Sequence, residues 1–385
     1  FNSDEAYLEL HVPLLKEKPF FYSLEVNGAV RHSAYSIGGK STTYSGTGLW
    51  KPVEDFLIRG AYSTGFRAPS LGELFGGRSR FDLPVVDPCS SAPTGQFQTN
   101  PVVRANCIAD GVPANGSYAE DPGQLPVITQ GNSALRPEKS RNLTFGAVYS
   151  PAWARSGGLS NLSLEVNYYD IRVKNAIAAV DPNLTLNNCA LLGDAASCAL
   201  TVRTANGFVN EIDGTLQNLD SIRTRGIDAV FNLRTRESSA GQFGFNANAT
   251  WLLKYVLSAS NGFVVIDRKG TERGSPDQAF PKFKGNATVD WSIGGFDAAF
   301  TGRYIDSVVE AGPNGPNKLG SRFYGDVQLS FTPGFWNDRF KLTAGINNVF
   351  DKDPPACFSC SLNNYDPTTY DVPGQFGYLR ISYKM

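Results

Sequence analysis

The chain has 385 residues and a formal net charge of −1 at pH 7, so it carries no basic footprint for nucleic acid. Charged residues make up 18%, below the ~25% usual in soluble chains, and no run approaches the roughly 18 apolar residues of a membrane helix. Phe1 to Leu10 has no basic start, apolar core or cleavage site, so it does not read as a signal peptide.

Along the chain a unit of about ten residues with alternating polarity recurs, as expected of a strand with one face in lipid and one on a wet lumen. Thirteen such strands are predicted, over 6–13, 21–35, 41–52, 57–66, 140–151, 159–174, 221–234, 243–255, 282–293, 296–304, 321–332, 340–349 and 376–385. The clearest is 243–255, where Phe243, Phe245, Ala247, Ala249, Trp251, Leu253 and Tyr255 share one face. Gly244, Asn246, Asn248, Thr250 and Lys254 share the other, with Leu252 the exception. Short connections over 14–20, 53–56, 152–158, 235–242, 294–295 and 333–339 alternate with long ones over 67–139, 175–220, 256–281, 305–320 and 350–375. The modest loop 36–40 also falls on the long side. The fold class expected is therefore all-β, a transmembrane antiparallel up-and-down β-barrel with tight periplasmic turns and long outer loops.

A soluble β-sandwich is the competing reading. Its strands are typically about five or six residues long, whereas many here reach ten. Trp50, Tyr149, Trp251, Tyr255, Trp291, Tyr304 and Phe331 also stand at strand ends, as an interfacial girdle requires. In 221–234 the outward parity of Ile227, Ala229, Phe231 and Leu233 puts Arg223 and Arg225 on the lipid side. That strand enters from outside, so both arginines are expected above the hydrocarbon. An up-and-down barrel in one bacterial chain takes an even number of strands. Thirteen is odd, so either further upstream strands or a different count of strands here is expected.

The six cysteines, Cys89, Cys107, Cys189, Cys198, Cys357 and Cys360, fall pairwise in long loops of one parity. Local disulfides formed in an oxidising compartment fit that pattern. Metal binding at Cys357 and Cys360 lacks the second ligand pair that zinc needs.

Three motifs stand out. AYSTGFRAPSLGELF (61–75) ends a strand in a corner where Pro69 forbids continuation. GNSALRPEKSRNLTFGAVY (131–149) leads from turn chemistry into the next strand, and LTAGINNVFDKDPP (342–355) precedes the closing GQFGYLRISYKM. In order and spacing these resemble the C-terminal barrel region of the TonB-dependent receptors, over essentially the whole chain. Ser133 stands where the second motif usually has Pro, and Met385 where the final strand usually ends in Phe.

The resemblance implies a barrel of about 22 strands with a plugged lumen, of which these residues would be the last thirteen. The plug domain, the TonB box and the first strands lie outside this sequence. It implies the bacterial outer membrane, lipid around the wall, and partnership with the TonB complex through the N-terminal part. It also implies active uptake of a scarce small molecule, most often a ferric siderophore or similar metal chelate, with oligosaccharide or peptide uptake on the same fold also open. A passive porin, or a surface receptor or adhesin, would also fit a barrel of this kind. No enzyme activity, cofactor or metal site is expected. Only His11 and His32 are present, both on predicted strands, which disfavours haem ligation.

Gly65, Phe66, Arg67, Pro69, Glu73, Arg136, Pro137 and Glu138 are expected to pin the base of loop 67–139. A salt bridge there would join Arg67 or Arg136 to Glu73 or Glu138. Arg78, Arg80, Phe81, Arg104 and Tyr118 are the expected ligand contacts, because arginines among aromatics suit an anionic or aromatic chelate. Tyr378, Leu379, Ile381, Tyr383 and Met385 form the expected terminal assembly strand.

Overall fold

The structure is a computed structural model that describes residues 2–37, 39–120, 123–259, 264–273, 277–312, 315–334, 339–360 and 363–384. Thirteen strands form the wall: β1 Ser3–Lys18, β2 Phe21–Tyr35, β3 Gly39–Val53, β4 Phe56–Arg67, β5 Glu138–Tyr149, β6 Leu159–Ala178, β7 Gln217–Thr235, β8 Gln242–Ala259, β9 Phe283–Ile293, β10 Phe296–Ile305, β11 Arg322–Phe331, β12 Phe340–Asn347 and β13 Phe376–Tyr383. They follow one another in strict chain order in a single antiparallel sheet. Every predicted strand is present. Several run further than their apolar alternation, β6 to Ala178 and β8 to Ala259. β1 and β13 are the edges, each paired with one neighbour among the described residues.

The register explains the two faces. Phe145, Tyr168, Ile227, Trp251 and Phe283 lie opposite one another on five successive strands. They form an apolar row near the outer end, with the Trp251 and Phe283 ring centroids 4.9 Å apart. Near the other end a second row contains Phe243 against Trp291 and Trp291 against Phe296. Phe243 and Trp251 are separated by eight residues of one strand. At about 3.4 Å each and a tilt of about 40°, that spans roughly 21 Å of height, close to the ~25 Å apolar band of such barrels.

The opposite face is a polar ladder. Asn248 bonds Asn286 at 3.0 Å, Thr250 bonds Asp228 at 2.7 Å and Thr288 bonds Thr301 at 2.8 Å. Arg303 holds Asp326 and Asp371, and Arg59 holds Glu165. Side chains of this kind keep the lumen wet and strands in register, while the outer face needs no polar group. The shortest turn, Gly294-Gly295, has φ of 51° and 83°, both positive, as a two-residue hairpin with the right twist requires.

The terminal strand divides by parity. Leu379, Ile381 and Tyr383 face outward and are more than half exposed. Tyr378 faces the other way and donates to Gln328 Oε1 at 3.0 Å. Met385 lies outside the described residues.

Candidate functional site

The long connections at one end of the wall are not loose loops. They fold in pairs and triples into units with their own cores. Segments 67–139 and 175–220 build the first unit. Strand Ser79–Val85 pairs with Gly123–Thr129, which pairs in parallel with Val209–Asp213, and that strand with Thr201–Arg203. Helix Pro101–Ala109 starts from Asn100, whose side chain caps the amides of Val102 and Val103, with Pro at the first position. Helix Pro182–Asn187 starts the same way from Asp181. A polar cap followed by Pro satisfies an orphan amide and fixes φ for the first turn.

Two apolar clusters hold this unit together. One joins Cys89, Phe97, Val103, Cys107, Val112, Tyr118 and Ala190, and the other Val85, Leu125, Val127, Leu186, Val209 and Ile212. Both cross between the two chain segments. Disulfides Cys89–Cys107 and Cys189–Cys198 close it covalently.

At its centre is an ion cluster the sequence did not reveal. Arg203 Nη1 meets Asp87 Oδ2 at 2.6 Å and its Nε meets Asp110 Oδ2 at 2.7 Å, with the Arg203 side chain only 4% exposed. Tyr118 donates its hydroxyl to Asp87 and Glu120, and the Arg203 guanidinium lies over its ring. Burial, then the Asp87 charge, push the Tyr118 phenol far above its ordinary range. Burial also raises the Asp110 carboxyl, against the pull of Arg203. Burial works to lower Arg203, yet Asp87 and Asp110 outweigh it.

Tyr118 is fully buried, so its place among the ligand contacts is corrected: it is core. The other candidates are exposed in different settings. Arg78 pairs with Glu211, Arg80 with Asp82 at 2.9 Å, and Arg104 lies over the Phe97 ring at 5.5 Å. Phe81 is 40% exposed on the strand that carries Arg80, with Arg78 just before its start.

The ion bridge at the base of this unit is made by Arg67. Its guanidinium reaches Glu73 at 2.9 Å and Glu138, its cross-strand partner, at 2.6 Å. Glu138 also accepts the Ile177 amide at 2.7 Å, so one carboxylate joins β5 to the end of β6. Glu73 belongs to the short helix Leu71–Phe75, where it forms a capping box with Ser70 just after Pro69. Gly65 and Phe66 are the last residues of β4 before Arg67, with the Phe66 ring stacked on Tyr35. Gly131 lets the returning chain bond Gly76, where a Cβ would meet the Gly76 nitrogen at 2.4 Å. Of the two arginines expected at the bridge, Arg67 forms it, and Arg136, next to Pro137, is not part of it. Its backbone exchanges bonds with Asn218 instead, because Arg67 already stands opposite Glu138 in the register.

Beside it opens a polar cleft of about 430 Å³, lined by Gln130, Arg136, Asp213, Thr215, Gln217 and Asn218 among others. The Thr215 hydroxyl is buried there without a partner in the structure. One guanidinium, one carboxylate and several amides can bind an oxygen-rich polar ligand through hydrogen bonds.

Segments 256–281, 305–320 and 350–375 build the second unit. Hairpin Val308–Gly312 with Gly315–Leu319 packs Val308 and Leu319 against Ala279, Cys357, Cys360 and Tyr370. Cys357 and Cys360 are joined as a disulfide. Buried Glu310 accepts from the amides of Phe358 at 2.8 Å and Ser359 at 2.6 Å and from Asn317 at 2.5 Å. Burial alone would raise this carboxyl, but those donors hold it below the ordinary glutamate range.

A depressed folded pKa means stability present above the unfolded value of about 4.3 and lost as pH falls through the folded one. Protection of the Phe358 and Ser359 amides from hydrogen exchange, corrected for intrinsic rates, is therefore expected to fall on acidification through that window. In Glu310→Gln it should drop by about tenfold at neutral pH, in line with a charge-assisted bond.

Among the described residues, Asp110 lies close to Cys189 and Cys198, but those sulfurs are bonded to each other and offer no thiolate.

A family model described as TonB dependent receptor-like, beta-barrel matches residues 2–349. The siderophore receptor PirA of Acinetobacter baumannii superposes with a TM-score of 0.59 at 16% identity, over 99% of this chain and 46% of that one. A variant of the ferric enterobactin receptor PfeA of Pseudomonas aeruginosa gives 0.56 at 14% identity, over 98% of this chain and 45% of that one. The FrpB iron transporter of Neisseria meningitidis gives 0.57 at 13% identity, over 99% and 45%. At these identities the likeness is one of fold, and the chain spans just under half the length of the structures it matches. No curated protein sequence matches it.

Proposed function

The chain belongs to the TonB-dependent receptor β-barrel family of the bacterial outer membrane, and from that premise we propose that it supplies the wall and outer recognition surface of a receptor for an iron chelate. It is a receptor and transporter component, not an enzyme. The observation that carries the proposal is the rigidity of the outer units. Three apolar clusters, three disulfides and a buried Arg203 cluster fix surfaces that open loops would have to order on binding. Surfaces ordered in advance lose less entropy when they capture a dilute ligand.

Within them the Arg136 cleft offers donors and acceptors suited to an oxygen-rich ferric chelate, and exposed Arg80, Phe81 and Arg104 extend that chemistry outward. The receptors that share this fold are named for a siderophore, for ferric enterobactin and for iron, which supports the same substrate class. The energy for uptake would come from the TonB complex, acting through a part of the receptor outside these residues.

The test is accumulation of radiolabelled ferric catecholate, hydroxamate and carboxylate siderophores by cells making the full receptor. One class should accumulate in a TonB-dependent way, and Arg136→Ala should weaken its binding. Accumulation that survives loss of TonB, or no response to any of the three classes, would refute the proposal.

A further inference from the structure

The outer face of the wall carries a charge pattern that uptake does not use. Above the apolar row of Phe145 and Tyr168, outward parity brings Arg141 directly opposite Arg172, and Lys139 directly opposite Lys174. Arg172 in turn stands opposite Arg223. Lys139, Arg141, Arg172 and Lys174 are all exposed. Like charges placed directly across a strand pair destabilise it, yet here two such pairs are stacked and a third adjoins them.

Asp170 is the acid on this patch, and Arg223 holds it with bonds of 2.9 and 2.5 Å. Among the described residues no ion pair is formed by the other four cations. The lumen face of the same strands is built differently, with Arg59 matched to Glu165. Farther round the wall, β9 to β11 present the aromatics Phe283, Tyr304 and Phe323 outward.

The patch is also concave. The pairing of β3 with β4 stops at Ser45 and Ser63, and Tyr44 and Thr64 are joined above it through the Thr64 hydroxyl. The resulting groove of about 440 Å³ is lined by the four cations, by Lys40 and by the hydroxyls of Thr42 and Thr64, with no carboxylate.

We propose that this groove binds the phosphorylated headgroup of an outer-leaflet glycolipid. The groove lies on the lipid side of the wall, immediately above the apolar band, where a headgroup phosphate would stand. Guanidinium and ammonium groups with nearby hydroxyls suit phosphate oxygens, and a polyanion would relieve the cross-strand repulsion. The inference rests on the wall's place in the outer membrane and is independent of the transported ligand.

The test compares the full receptor with Arg141→Gln/Arg172→Gln and Lys139→Gln/Lys174→Gln variants in detergent freed of glycolipid. Without lipid each variant should be at least as stable as the parent, because repulsion has been removed. Added bisphosphorylated lipid A should raise the parent's Tm, and its apparent affinity should fall by at least about tenfold in each variant. Enzymatically dephosphorylated lipid A should have little effect on the parent. Equal stabilisation of parent and variants, or equal stabilisation by the dephosphorylated lipid, would overturn the phosphate site. Inorganic phosphate alone reproducing the whole gain would overturn its assignment to a lipid.

Discussion

Arg203→Met will unfold the first outer unit while leaving the wall assembled. The substitution leaves Asp87 and Asp110 facing each other in a site where the Asp87 side chain is 1% exposed and that of Asp110 10%. Removing one partner of a buried ion cluster costs about 3–5 kcal/mol, because the remaining charges stay buried and uncompensated. The wall has its own hydrogen bonds and lipid contacts, so the loss should be local. Limited proteolysis of the reconstituted receptor should release peptides from 79–129 and 201–213 that the parent protects. The heat-modifiable band of the folded barrel should persist. Arg203→Lys should recover part of the protection, since an ammonium can meet one carboxylate closely but not both in the planar geometry of guanidinium. Unchanged protection in Arg203→Met would show that the apolar clusters alone hold the unit.

Why the sequence missed this cluster follows from its geometry. Asp87 and Arg203 are 116 residues apart and lie in different connections, and neither belongs to a periodic segment. Tyr118 sits in a polar stretch that reads as exposed, and its burial follows from long-range contacts with that pair and with the apolar cluster of Phe97 and Val103. By contrast, the wall was legible because lipid and lumen impose opposite demands on alternate residues, as between Phe243 and Trp251. Beyond it a bulge at Leu253 shifts the register, so that Tyr255 stands opposite lumen-side Thr224 and not on the expected outward face. Strand ends were legible only as far as the lipid reaches. Alternation fades beyond Tyr168, while β6 goes on pairing to Ala178. The helices in the connections did carry local signals, at Asn100-Pro101 and Asp181-Pro182. What no local signal could give is which connections share a core. At the loop base the acids and Arg67 were readable from the motifs. The choice of Arg67 over Arg136 depended on register, which places Arg67 opposite Glu138.

Val289→Arg will strongly destabilise the barrel, whereas Asn248→Arg will not. The two positions lie on adjacent strands but face opposite solvents. Val289 stands opposite Phe245 on β8 and Phe300 on β10, 49% exposed on an apolar face. It lies midway along β9, so its guanidinium could reach neither headgroup layer without distortion. Arginine near the midplane of a barrel's lipid face costs about 2–4 kcal/mol, and the residues directly opposite, Phe245 and Phe300, offer no charge to offset it. Asn248 bonds Asn246 at 2.9 Å and Asn286 at 3.0 Å on the lumen side. An arginine there would give up two neutral amide bonds but stay hydrated, on the face that carries Asp228 and Asp290. Urea unfolding of both variants in the same lipid should show the Val289→Arg midpoint well below the parent and the Asn248→Arg midpoint close to it. A reversed order would mean that the faces have been assigned the wrong way round. In that case the aromatic rows would line a lumen, and the outward groove of cations would be an inward one.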